Sequence, residues 1–160
     1  MRTDRFVFVG VDPGKTGAVA LVNDLGEAQW VDDIPRLGGE VDAKGFVEML
    51  REWRGLIVSA AIERTQAMPQ TPRSVCHGLG MSEGMALAGL LMLEVRIVRP
   101  RPNDWKKVMG VPADKAKAKE MAEMMFPSMK HRLQRASDHN RAEALLLADY
   151  ARRVWEKVAQ

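Results

Sequence analysis

Cysteine is nearly absent: Cys76 is the single example in 160 residues. No disulfide can form within the chain and no thiolate zinc site can be built, so the composition points to a reducing, cytosolic setting. Cys76 itself is expected as a small buried apolar side chain. A strong net charge is lacking too, the formal value being only +3. Long apolar runs are missing. FVFVGV meets Asp12 after six apolar or glycine residues, too short for a signal-peptide core, and no stretch is expected to approach transmembrane length. Repeats, low-complexity tracts and an evident interdomain linker are not seen. What these absences leave, at 46% hydrophobic residues, is one globular domain over 1–160, large enough to bury a core without disulfides or structural metal.

What is present is a set of acids in telling places. Asp12 ends the apolar run FVFVGV, Glu63 ends LIVSAAI, and a third cluster, Asp138 to Glu143, opens the last expected helix. In parallel α/β sheets the side chains at the carboxyl ends of adjacent strands meet the ligand, and neighbouring strands are about 4.8 Å apart. Carboxylates converging there make a hard-oxygen site suited to Mg²⁺ or Mn²⁺. Two-metal phosphodiester chemistry needs ions about 3.5–4 Å apart, and such an arrangement supplies the ligands, so the pattern implies metal-dependent phosphoryl transfer. Asp-Pro-Gly by itself is ordinary turn chemistry; a charge ending a fully apolar strand, as Glu63 does, needs a partner. Within the third cluster, His139 and Glu143 are four apart and Asn140 and Glu143 three apart, so each pair shares a helix face. His139 with Glu143 is the preferred pair, His139 serving as ligand, as general base for the attacking water, or as a surface histidine. Asp138 points away from Glu143 inside a helix, but ahead of the first turn it reaches a metal or caps the helix.

Charge is unevenly spread. From Arg96 to Lys119 there are eight Lys or Arg residues against Asp104 and Asp114. Such a strip beside an acidic cluster suits a polyanion, while lysine runs also make ordinary solvated helix faces. The expected elements are a three-strand meander over Arg5 to Val31, and a helix capped by Asp42, running to Arg54 and stopped by Gly55. A buried parallel strand follows from Leu56 to Ile62. Ser74 to Glu94 reads as a long helix whose glycines at 78, 80, 84 and 89 imply close packing or a kink. After a strand at Val95 to Val98 come helices over Asn103 to Met109 and Ala113 to Phe126, the second with Met121, Met124 and Met125 as a core stripe. A basic linker leads to a final helix that Ser137 can cap, ending near Lys157.

Gly10 to Thr16 nearly matches a P-loop, but only three residues separate its glycines where four are required, and a strand follows where a helix must start. A strand, an Asp and a glycine turn also resemble the first phosphate loop of the sugar-kinase, actin and Hsp70 class. Those proteins enclose ATP between two such domains, so no nucleotide cofactor is expected of one. Taken together, FVGVDPGKTGAVAL, AAIER, RPRPNDWKKVMGVPADKAKAKEMAEMMFP and DHNRAEALLLADY resemble, in order and spacing, the RuvC family of Holliday junction resolvases, and most of all its short bacteriophage-encoded members.

The resemblance implies an RNase H-like α/β fold, a five-stranded mixed sheet flanked by helices on both faces. It implies a homodimer in the bacterial cytoplasm, that of a phage-infected host included, making paired nicks in four-way DNA junctions with two Mg²⁺ or Mn²⁺ ions per site. By matching position Asp12, Glu63 and Glu143 are the catalytic acids, and His139, Asp138 and Asn140 are alternatives for the fourth ligand. Lys106, Lys107 and Lys115 match basic positions used on scissile phosphates, with Lys115 the catalytic candidate. The DNA-contacting set extends to Lys15 and Lys117 and to Arg64, Gln66, Met68, Gln70 and Arg73, where Met68 is the candidate for insertion at the junction centre. A broader branched-DNA nuclease and a catalytically weak architectural DNA-binding protein are the alternatives.

Overall fold

The computed structural model describes residues 6–14 and 16–158. Arg5, the expected start of the first strand, and Lys15 lie outside the described residues. The meander forms as β1 (Val7–Asp12), β2 (Ala18–Asn23) and β3 (Ala28–Asp33), each pair antiparallel. Two short strands follow, β4 (Arg36–Leu37) and β5 (Glu40–Val41), a hairpin turned by Gly38 and Gly39 at positive φ. Helix α1 (Ala43–Arg51) then crosses over to β6 (Ile57–Ile62), which runs parallel to β1, and helix α2 (Arg73–Met92) leads to β7 (Arg96–Val98), parallel to β6. The sheet order is β3-β2-β1-β6-β7. Helices α3 (Pro102–Met109), α4 (Lys115–Met125) and α5 (His139–Val158) complete the chain, with 3₁₀ turns at Pro127–Arg132 and Ala136–Asp138.

Two cores flank the sheet. Val7, Val9 and Val11 of β1 pack with Phe46 and Leu50 of α1 and Leu90 of α2, while Phe8 joins Trp105, Ala118 and the buried run Ala144–Ala148 of α5. Alternation along β1 therefore sends Phe8, Gly10 and Asp12 to the α5 side. Gly10 is the seat for that helix: a Cβ there would lie 2.0 Å from the Ala144 carbonyl oxygen and 2.3 Å from the Ala148 nitrogen. No other residue lets α5 sit so low on the sheet.

Several expectations are corrected. Helix α1 ends at Arg51 rather than Arg54; its cap Asp42 is as expected, its carboxylate accepting from the Gly45 N–H at 2.9 Å, but Trp53 packs from the turn that follows. Of the α2 glycines only Gly89 meets close packing, against the Phe46 ring; nothing stands within 4 Å of a Cβ at 78, 80 or 84. Met124 is 83% exposed, so the methionine stripe is core only through Met121 and Met125. Cys76 is half-buried, its Sγ 3.7 Å from the Thr71 carbonyl. Ser137 does not cap α5; it lies inside a 3₁₀ turn closed by Arg135 and Asp138. Finally, α2 is long and apolar enough to cross a membrane by length and composition, where no stretch is expected to be. Its apolar side faces outward because the sheet needs only one side of it, and the carboxylate of Glu83 on the inner side is tied into the domain.

Candidate active site

Asp12 is the last residue of β1, and Glu63 follows the last residue of β6. The strands are paired in register up to Val11 and Ile62, and the Glu63 N–H donates to the Val11 carbonyl at 3.1 Å. Ala61 belongs to the α5-side core, so Glu63, two residues on, faces the same way as Asp12. From above, α5 seated on Gly10 supplies Glu143, one residue before the Ala144 contact. Three acids from three elements thus converge at the carboxyl end of the central strands.

Their electrostatics show how close this convergence is. Burial pushes the Asp12 carboxyl up to about 7, helped by the charges of Glu143 and Glu63, while the Gly14 N–H and Lys106 act against the shift. The Gly14 N–H donates to Asp12 Oδ1 at 3.3 Å. Glu63 is also raised, by burial first and by Glu143, against the Trp105 indole hydrogen bond and the charges of Lys106 and Lys115. Helix α3 answers these acids with two consecutive residues. The buried Trp105 donates its Nε1–H to Glu63 Oε2 at 2.6 Å, and Lys106 Nζ pairs with Glu143 Oε1 at 2.7 Å. Helix α3 holds this pose through Pro102 at its start and Gly110 at φ 68° closing its end.

His139, at the first position of α5, has Nε2 3.5 Å from Lys115 Nζ and Nδ1 3.3 Å from the Ala136 carbonyl. Lys115 acts on the charge of Glu63, so this pair stands at the edge of the acid cluster. Asn140 spends its amide on the loop after Asp12, donating to the Thr16 carbonyl at 2.7 Å. Asp138, expected as a ligand candidate, is a cap instead. Its Oδ2 accepts from the Arg135 N–H at 2.8 Å and its Oδ1 from Arg135 Nε at 2.9 Å, with Arg141 3.9 Å away. Burial alone would raise Asp138, but Arg135 and Arg141 hold it below the usual carboxylate range.

Among the DNA-contact candidates, Arg64, Gln66, Met68, Gln70 and Arg73 lie on one exposed segment leading away from Glu63. Lys107, Lys115 and Lys117 are exposed on α3 and α4. Lys106 does not share that surface, being turned into the acid cluster. Sequence reasoning assigned no role to Trp105, whose neighbours carry no sign that its indole is a donor to an acid 42 residues earlier. Glu83 was missed as well, although a lone acid in an otherwise small and apolar helix is itself a signal of a buried partner.

The donor set fits a hard divalent cation in type and charge: three carboxylates, two of them raised by burial first and by their acidic neighbours second, with one ammonium among them. Among the described residues, no group of three His, Cys, Asp or Glu side chains is arranged to hold a single ion. Lys106 and Trp105 satisfy Glu143 and Glu63 in this arrangement.

No protein-family model matches the chain, and no curated protein matches it. Solved structures do. Thermus thermophilus RuvC in complex with a Holliday junction substrate superimposes with a TM-score of 0.66 at 20% identity, covering 91% of each chain. A second T. thermophilus RuvC structure gives 0.65 at 20% identity, covering 91% of this chain and 92% of that one. The five-stranded mixed sheet with helices on both faces, seen here residue by residue and matched over nine-tenths of both chains, is the RuvC-type, RNase H-like fold.

Proposed function

We propose that the protein is a metal-dependent endonuclease that resolves four-way DNA junctions by paired symmetric nicks, leaving 5′-phosphate ends, as a homodimer in the bacterial cytoplasm. The observation that carries the reading is the meeting of Asp12, Glu63 and Glu143 at the ends of β1 and β6, around an Asp12 carboxyl raised to about 7 by burial first and by its two acidic neighbours second. It stands on a fold shared with a RuvC solved with a Holliday junction. Two Mg²⁺ or Mn²⁺ ions held by Asp12, Glu63 and Glu143, with His139 as the fourth group, would activate the attacking water and neutralise charge on the departing oxygen. Asp12, central and buried, is the acid common to the cluster. Trp105 keeps Glu63 turned toward Asp12 through its indole N–H. Lys106 balances Glu143 and becomes available to the scissile phosphate once that balance is met otherwise, while Lys115 beside His139 presents a second cation at the cluster's edge. The exposed segment Arg64 to Arg73 and the lysines at 107, 115 and 117 supply the sequence-independent hold on the DNA backbone, and exposed Met68 is the candidate wedge for the junction centre.

Cleavage mapping on a mobile four-way junction, a flap and a linear duplex, each with Mg²⁺ and with Mn²⁺, tests the reading. Paired nicks at symmetric positions on the junction are expected, with the duplex left intact. Equal cutting of flaps supports the broader branched-DNA nuclease, and absence of any metal-dependent nick defeats the proposal. Replacing Trp105 by Phe removes the donor while keeping most of the buried volume. Mn²⁺ affinity or cleavage rate is expected to fall about 10- to 100-fold, the range for losing a group that orients a metal ligand; a titration matching the parent would show that the indole does not orient Glu63.

We propose α2 as the surface on which the homodimer forms. Its outer side exposes Val75, Met81, Leu91 and Met92 and borders an apolar groove of about 930 Å³ against α1 and the β4–β5 hairpin. Glu at both Met81 (56% exposed) and Met92 (74% exposed) should leave the fold intact while giving a monomer by sedimentation and unpaired nicks. A dimer that survives this change puts the interface elsewhere.

A further inference from the structure

Midway along α2, whose outer side is apolar and open, Glu83 is only 8% exposed and turned inward. Its carboxylate accepts from the Thr65 N–H at 3.0 Å and from the Thr65 hydroxyl, and it pairs with Arg99. Burial alone would raise this acid, but Thr65 and Arg99 hold it below the usual carboxylate range, so it is charged at neutral pH. Neither the metal chemistry nor the DNA contacts proposed above use it.

Three segments meet on this one side chain. Thr65 lies two residues beyond Glu63, at the start of the exposed Arg64–Arg73 segment. Arg99 lies just past β7 and precedes Pro100, whose carbonyl accepts from the Arg64 N–H at 3.0 Å. Two residues further on, at Pro102, α3 begins, and α3 delivers Trp105 to Glu63 and Lys106 to Glu143. Glu83 therefore joins the backbone leaving one catalytic acid to the turn that launches the helix serving two of them. A buried carboxylate that loses its partners is destabilised well beyond the worth of the pair itself; Arg99 is exposed, so it is Glu83 that is left unpaired if these segments drift apart.

We infer that Glu83, with Arg99, is a positioning residue that fixes Glu63 and α3 relative to α2, connecting the side of the molecule assigned to the partner subunit with the acid cluster. The inference rests on the reading of that cluster as a metal site, and the test separates the two. Glu83→Gln keeps an oxygen for Thr65 but removes the charge from Arg99; Thr65→Val removes one hydroxyl and nothing else. Three measurements apply: amide hydrogen exchange of the 64–72 segment, Mn²⁺ binding by calorimetry, and four-way-junction affinity in EDTA.

For Glu83→Gln, exchange at 64–72 is expected to quicken about tenfold or more and Mn²⁺ affinity to fall by a similar factor, with junction affinity falling less than either, because the lysines at 107, 115 and 117 are untouched. Thr65→Val should move the same two quantities in the same direction by less, and Arg99→Lys, which keeps the cation, should leave both close to the parent. Unchanged exchange in Glu83→Gln overturns the inference, and so does faster exchange with parental Mn²⁺ affinity. If the parent protein takes up no Mn²⁺, the metal reading fails, while the exchange measurement still decides whether Glu83 holds the segment.

Discussion

Asp12→Asn is expected to give a protein that is more stable than the parent without metal and does not cut. The carboxyl is buried at the end of β1, with Glu143 and Glu63 acting on it, and sits at about 7 rather than the ordinary 3.8. A carboxyl raised on folding lowers stability as pH climbs. Below 3.8 both folded and unfolded chains hold the proton and nothing is lost. Between 3.8 and about 7 the unfolded chain releases it and the folded chain keeps it, so stability falls by about 1.4 kcal/mol per pH unit; above about 7 the penalty is constant, roughly 4 kcal/mol at most. Glu63, raised as well, adds to the same trend. Glu83 and Asp138, lowered, act in the opposite sense, their stabilisation being lost only as pH falls through the acidic range below their ordinary values.

Asn carries no charge and retains an oxygen for the Gly14 N–H, so the substitution removes the penalty without removing the contact. Melting in EDTA should therefore decline from pH 5 to 7.5 for the parent and much less for Asp12→Asn. Mn²⁺ should restore the parent alone. Cleavage should fall by about 10³-fold or more, since a group that acts directly on the reacting centre is gone, while junction affinity is retained because it rests on phosphate contacts. An active Asp12→Asn protein would remove Asp12 from the chemistry, and a parent whose stability rises over that pH interval would contradict the buried acid cluster.

The second large effect is expected at Gly10→Ala. One methyl group would be driven into the backbone of α5 at Ala144 and Ala148, and backbone cannot rotate aside as a side chain can. The helix must lift or the strand must buckle, and a loss of about 3 kcal/mol or more follows, at the upper end for overpacking. Urea denaturation measures it, together with Mn²⁺ binding, since any lift of α5 carries Glu143 away from Asp12. A parental midpoint would show that the helix does not rest on this glycine.

Much of this was legible in the sequence, for identifiable reasons. The apolar runs ending at Asp12 and Glu63 are signals that survive folding because central strands are buried on both faces. The β4–β5 hairpin was not foreseen because two-residue strands leave no alternation to read. Helix α1 was overrun because Trp53 keeps helical spacing with Leu50 while reaching the core from a turn. At the site, strand-end position identified two acids and helical spacing the third. What spacing does not carry is the choice each polar group makes among nearby partners: Asp138 takes Arg135, Asn140 takes Thr16, and Lys106 bends its long stem back onto Glu143 instead of joining its exposed neighbours.

The seating of α5 on β1 also sets a timetable for the molecule's own synthesis. The helix follows every strand in chain order, and its contacts reach back across more than a hundred residues, as in the 124-residue separation between Asn140 and Thr16. Such long-range closure is slow and late. Until it happens the sheet lacks the cover for one face, and Asp12 and Glu63 lack Glu143. A growing chain therefore carries its acids apart, and the three meet only in the step in which α5 docks on the sheet.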